Sequence, residues 1–206
     1  MRTDYLNPQL YNRLYSVMTY ENVLALRVSL ETGLRIDDVL SLRVDQLKGR
    51  TLRGIAEKTD KPFRKVISAD LAQRLRRLAT DGYIFKHRTK PNEHRTRQAV
   101  WQNMKHAANV IGLDLDLNAA PHSARKTYAV ELFKDKGIDA VKKELQHDRI
   151  STTMLYCFSN LLTAPAPADR PEINDDVLEL LAEKIARKVT HFLKKGEKDT
   201  SLLKNE

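Results

Sequence analysis

Residues 122–156 read HSARKTYAVELFKDKGIDAVKKELQHDRISTTMLY, and this stretch decides how the chain is to be understood. His122 and Arg125 stand three positions apart, the spacing that puts two side chains on one face of a helix. The pattern predicts a helix over 122–136 that stops at Gly137, a second over 138–146, and a third over 151–159 opened by Ser151-Thr152-Thr153. His147 then closes the second helix and Tyr156 lies inside the third. A planar guanidinium fits two oxygens of a phosphate, and an imidazole exchanges a proton near neutral pH. A phenol that attacks a phosphodiester needs positive charge on the non-bridging oxygens, a base near its hydroxyl and an acid at the leaving oxygen. Taken singly, each residue has a plainer explanation: a His-x-x-Arg arises easily by chance in a chain with 6 histidines and 36 lysines and arginines, and Tyr156 is one of 7 tyrosines. The ordered set is what carries weight.

Upstream, Asn7-Pro8 reads as a helix cap and first-turn proline, followed by Leu10, Leu14, Val17 and Met18 at helical spacing. A second helix is expected over 20–31, with Gly33 where a helix end favours a left-handed residue, so that the chain turns just before Arg35. Arg35 opens a third short helix, ending near Val44, where backbone amides favour an anion, and Asp38 is placed to brace its guanidinium. Residues 51–56 and 63–67 form two β-prone runs around a polar turn, a hairpin carrying Lys58 at its tip or first strand. Lysine on such a loop is a compact acid able to reach a leaving oxygen, although a solvated hairpin tip explains it equally well.

Ser68 is the expected cap of a helix over 69–78, and residues 82–85 are a brief extended segment. The loop 86–97 carries Lys86, Arg88, Lys90, Arg95 and Arg97 against one acid, Glu93, and is either solvated or phosphate-facing. A helix over 96–111, closed by Gly112, places Trp101 as a core anchor in preference to a base-stacking platform. Ala164-Pro165-Ala166-Pro167-Ala168 reads as a linker, and Val177, Leu178, Leu181, Ile185, Val189 and Phe192 line one face of a final amphipathic helix. The fold class is therefore mainly α with a small antiparallel β-sheet, an α+β arrangement.

With 206 residues and 41% hydrophobic content, the chain is long enough for one substantial core. A net charge of +9 and a pI near 9.6 attract polyanions, of which nucleic acid is the commonest partner. No run approaches the roughly 18 apolar residues a membrane helix needs, and the N-terminus lacks a secretory core, so a soluble intracellular protein without membrane contact is expected. Cys157, the one cysteine, excludes an internal disulfide or thiolate cluster and reads as a small buried hydrophobe.

Together these residues resemble the catalytic domain of the tyrosine recombinase, or phage integrase, family. Thr32-Gly33-Leu34-Arg35-Ile36-Asp37-Asp38 resembles its first arginine box, Glu57-Lys58-Thr59 its hairpin lysine, and His122-Ser123-Ala124-Arg125 its His-x-x-Arg box. Leu145-Gln146-His147 resembles the second histidine box and Ser151-Thr152-Thr153-Met154-Leu155-Tyr156 the nucleophile segment. Gln146 stands where a glycine is usual, and Ala124 where leucine is common. The resemblance implies a catalytic domain over residues 1–160, a Pro/Ala-rich linker over 161–173 and a C-terminal helix and tail over 174–206 that docks on a neighbouring protomer. A separate N-terminal DNA-clamping domain is not expected in this sequence, and a minimal member and an excised piece read alike.

The resemblance further implies site-specific cleavage and rejoining of double-stranded DNA through a 3′-phosphotyrosyl bond. Tyr156 is then the nucleophile, Arg35 and Arg125 the phosphate clamp, His122 the aid to proton removal, Lys58 the acid and His147 a phosphate hydrogen-bonder. Asp38 supports the clamp, while Lys86, Arg88, Lys90, Arg95, Arg97 and Lys105 contact the DNA backbone. No metal or other cofactor is implied. Implied partners are further copies of the chain, a tetramer on DNA, with accessory DNA-bending or directionality proteins, in the cytoplasm of a cell that a bacterial, phage or mobile-element gene serves. Two rivals stand beside it: a non-catalytic DNA-binding regulator on the same fold, and a type IB topoisomerase-like enzyme that uses similar chemistry but religates the same strand.

Overall fold

Local chemistry sets most of the helix ends in the computed structural model, which describes residues 5–90, 92–113 and 120–145. Helix α1 (Pro8–Tyr15) starts where Asn7 Oδ1 accepts from the Gln9 amide at 3.0 Å, with Pro8 in the first turn. Helix α2 (Tyr20–Thr32) ends at Gly33, which takes the left-handed conformation at φ 70°. The short α3 (Ile36–Leu40) follows at once. Helix α4 (Ala69–Leu78) is capped by Ser68 and α5 (Arg97–Val110) by Thr96, each hydroxyl accepting from a first-turn amide. Helix α6 (Pro121–Leu145) is two helical halves joined at Gly137, whose φ of 75° and ψ of −176° are not helical, so the break falls where the glycine predicted it.

The sheet departs from expectation in two ways. Strands β1 (Leu47–Lys48), β2 (Thr51–Ala56) and β3 (Lys61–Val66) pair antiparallel in the order β1-β2-β3, so a two-residue strand precedes the anticipated hairpin. Strand β3 also begins two residues early and contains Pro62, opposite Ile55. As an edge strand, β3 tolerates a proline whose missing N–H would break a central ladder. The third helix stops at Leu40 rather than near Val44. Leu42 and Arg43 instead lead into a short 3-10 turn (Val44–Gln46), with Leu42 O accepting from the Ile84 amide at 2.8 Å and Val44 N donating to Gly82 O at 3.0 Å.

Helix α2 is the centre of the core, lying against α3, α4 and α6. Leu24, Leu26 and Val28 from α2 are buried with Leu40, Leu52, Leu71, Phe85, Val100 and Met104. A smaller cluster, Ala129, Val141 and Leu145 with Tyr128, Leu132 and Phe133, closes the two halves of α6 onto each other. That packing brings the C-terminal end of α6 back to the Gly33 turn. No helix of the described residues is long and apolar enough to cross a membrane.

Candidate phosphate-binding site

The Gly33 turn is built to be tight. Ser29 Oγ donates to Leu34 O at 2.8 Å, Thr32 Oγ1 donates to Val28 O at 2.6 Å, and the Gly33 amide donates to Ser29 O at 2.8 Å. Its positive φ favours glycine, and the space demands it: a Cβ there would lie 2.5 Å from Tyr128 Cδ1 and 2.8 Å from Leu145 Cδ2. Arg125, from the first half of α6, is only 5% exposed. Its Nη1 donates to Gly33 O at 2.6 Å and its Nη2 to Leu145 O at 2.8 Å. One guanidinium thus ties the turn before Arg35 to the end of α6, two residues before His147. A buried charge is tolerable only with such hydrogen bonds, and the rigid fork geometry of arginine supplies them in two directions.

Arg35 occupies the N-cap of α3 and lines a small cleft with Asp38, Lys65, Arg125 and Glu144. It is half-exposed, and its guanidinium makes no hydrogen bond or ion pair among the described residues. The expected brace from Asp38 is not what is found. Asp38 is buried, and its Oδ1 accepts from the Glu57 amide at 2.9 Å, while Oδ2 has no partner among the described residues. The reason is conformational: Arg35 is extended at φ −66° and ψ 148°, so it does not share a helical face with Asp38. Asp38 instead holds the β2–β3 turn. Lys58 sits exposed in that turn, which closes with the Thr59 and Asp60 amides both donating to Ala56 O.

His122 reports how the cations converge. Burial pulls its imidazole down from the usual 6.5 to about 4, and the charges of Arg125, Arg35, Lys126 and Lys58 add to the shift in that order. The fold thus brings Arg35, Lys58, His122 and Arg125 within electrostatic reach of one another. At neutral pH the ring is uncharged, able to accept a proton. Lys126 is a residue that sequence reasoning missed: it is only 8% exposed and belongs to the same field. Its one visible signal was its place directly after Arg125. His147 and Tyr156, the linker 161–173 and the segment 174–206 lie outside the described residues.

The basic loop is less bare than its sequence. Lys86 pairs with Asp81 at 2.6 Å, Lys90 with Glu93 at 3.1 Å, Arg95 with Glu21 at 3.8 Å and Arg97 with Asp37 at 3.4 Å. Three of those four acids come from outside the loop. Arg88 alone of the five is exposed without an ion pair among the described residues. Trp101 is half-buried rather than a core anchor, with Lys105 Nζ 4.9 Å from its ring centroid. Val100, Met104 and Ala107 are the α5 residues that fill the core.

The sequence profile of the phage integrase family matches residues 4–161. The tyrosine recombinase XerD of Lacticaseibacillus casei is 33% identical over 137 residues, covering 61% of this chain and 46% of that protein. The chain spans about half the length of the curated relatives it matches. Among solved structures, the catalytic domain of bacteriophage HP1 integrase superposes with a TM-score of 0.59 at 21% identity, over 75% of this chain and 87% of that one. A lambda integrase dimer bound to a COC′ core site gives 0.67 at 16% identity, over 82% and 52%. These structures share the fold, mainly helical with a small antiparallel sheet.

Proposed function

Because this chain belongs to the phage integrase family, we propose that it is a site-specific recombinase that cuts and rejoins double-stranded DNA through Tyr156. The phenolic oxygen attacks the scissile phosphorus, a 3′-phosphotyrosyl bond forms, and the 5′ oxygen leaves as a hydroxyl. A 5′-hydroxyl from the partner strand then attacks the phosphotyrosine and releases the phenol. One phosphoester is exchanged for another, so the cycle needs no external energy source.

Arg35 and Arg125 neutralise the non-bridging oxygens, where charge-assisted bonds count for more in a partly dry site. His122, neutral because it is buried among cations, takes the proton of Tyr156, whose unperturbed pKa of about 10 would otherwise keep it protonated. Lys58 protonates the leaving oxygen and His147 hydrogen-bonds the phosphate. Asp38 serves by fixing the turn that carries Lys58. Arg88 and neighbouring cations of the 86–97 loop, with Lys105, meet the DNA backbone, an interaction that weakens steeply with salt. The protein works in the cytoplasm as a tetramer on DNA, aided by accessory DNA-bending or directionality proteins. Residues 1–160 form the catalytic domain, 161–173 link it, and 174–206 dock on a neighbouring protomer.

The single observation that supports this reading best is Arg125, buried and bonded at once to the turn of Arg35 and to the helix end before His147. The test is a nicked suicide DNA substrate, which traps the covalent intermediate. Wild-type protein is expected to form a protein–DNA adduct and Tyr156→Phe none; an adduct with the phenylalanine variant would remove Tyr156 as nucleophile.

A further inference from the structure

Lys65 on β3 stands in the same cleft as Arg35 and Arg125, yet the recombination chemistry above gives it no task. Strand alternation puts it on the inner face with buried Phe63, opposite Leu52 of β2. Its side chain is 12% exposed. A lysine turned inward is costly unless its charge is met, and here it is met twice: Nζ donates to Glu144 O at 2.9 Å and to the Glu144 carboxylate. Glu144 and Leu145 are the last two residues of α6, whose final carbonyls have no partner within the helix and carry its negative dipole end. Lys65 takes the carbonyl of Glu144 and Arg125 that of Leu145, so two cations from different elements cap one helix end side by side.

We propose that Lys65, through Glu144, is a positioning residue for the phosphate-activating half of the site. This rests on the recombinase reading above. The pair fixes α6 at Glu144, three residues before His147, and engages the carboxylate that lines the same cleft as Arg35 and Arg125. It does not act on the leaving group, because the turn bearing Lys58 lies at the far end of the hairpin, beyond the Ala56–Lys61 rung, and is held separately by Asp38.

The experiment follows the rate of adduct formation on suicide DNA whose bridging 5′ oxygen at the cleaved bond is either oxygen or sulfur, with DNA affinity measured in parallel. A thiolate leaves without a proton donor, so sulfur relieves any defect in the acid. Lys65→Met is expected to slow cleavage by about 10- to 100-fold, the scale of a small misplacement of reacting groups, with DNA affinity within about twofold of wild type. Sulfur should rescue Lys58→Ala and leave Lys65→Met slow, while Lys65→Arg recovers most of the lost rate. Glu144→Gln, which keeps the backbone acceptor, should show the same pattern more weakly and serves if Lys65→Met does not fold.

Cleavage by Lys65→Met at the wild-type rate would overturn the proposal, as would its rescue by sulfur or a loss of affinity matching the loss of rate. A wild-type chain that forms no adduct sinks both this inference and the recombinase reading. An active wild type with an indifferent Lys65→Met sinks only this one.

Discussion

Adding a single methyl group at Gly33 tests whether the turn before Arg35 is as constrained as its surroundings suggest. In Gly33→Ala a non-glycine residue is forced to φ 70°, which costs roughly 1–2 kcal/mol. The new Cβ also meets Tyr128 Cδ1 and Cε1 at 2.5 and 2.6 Å and Leu145 Cδ2 at 2.8 Å. All three are tethered within the packed α6 cluster, so the overpacking adds about 1–3 kcal/mol. The expected total is about 2–5 kcal/mol, a large share of the roughly 5–15 kcal/mol that stabilises an ordinary domain. Urea denaturation of wild type, Gly33→Ala, Tyr128→Ala and the double variant separates the two parts. Removing the ring should relieve most of the steric part, giving a favourable coupling of about 1–3 kcal/mol, while the backbone part of about 1–2 kcal/mol remains. Additivity within about 0.5 kcal/mol would refute the steric reasoning, and a total cost below about 1 kcal/mol would refute both parts.

Three further outcomes follow from the same geometry. Arg35→Ala should leave stability within about 0.5 kcal/mol of wild type, because its guanidinium has no partner among the described residues. Arg125→Ala should cost about 2–5 kcal/mol by stranding two buried carbonyls. Both should reduce adduct formation by orders of magnitude while DNA binding weakens less; equal losses in cleavage and binding would reduce the arginines to simple binding residues. His122 should titrate near 4 by NMR. Since its folded pKa lies below the unfolded value of 6.5, the unfolded state takes the proton first as pH falls, so this group lowers stability from about pH 6.5 down to about 4. His122→Gln should flatten that slope in denaturation series, and an unchanged slope would contradict the buried, cation-flanked ring. Asp38→Ala should leave the Glu57 amide without its acceptor, costing about 1–3 kcal/mol and speeding hydrogen exchange at Glu57; unchanged exchange there would mean that Asp38 does not hold the turn.

Much of the fold was legible because its signals are local. Asn7-Pro8, Ser68 and Thr96 mark helix starts, and Gly33 and Gly137 mark ends and breaks, through backbone chemistry confined to a few neighbouring residues. Where a local signal pointed the other way it misled: Lys61 and Pro62 fell in the polar turn between the β-prone runs, yet β3 takes both in at the sheet edge, and β1 is too short to leave a pattern. The candidate site divides along the same line. Its residue types and their order lie in the sequence, where their resemblance to the family's motifs singled them out.

Which of them meet was not readable. Asp38 passes over Arg35 for the amide of Glu57, Lys65 finds Glu144 across 79 positions, and Arg95 of the basic loop pairs with Glu21 of α2. The order of residues is enough for the capped helix starts, the glycine breaks and the inventory of charged groups, because capping and turn formation act over one or two turns of chain. Tertiary structure alone decided the partners of those groups, because a buried ion or hydrogen bond is selected by whichever surfaces the core presses together, and no spacing along the chain encodes that meeting.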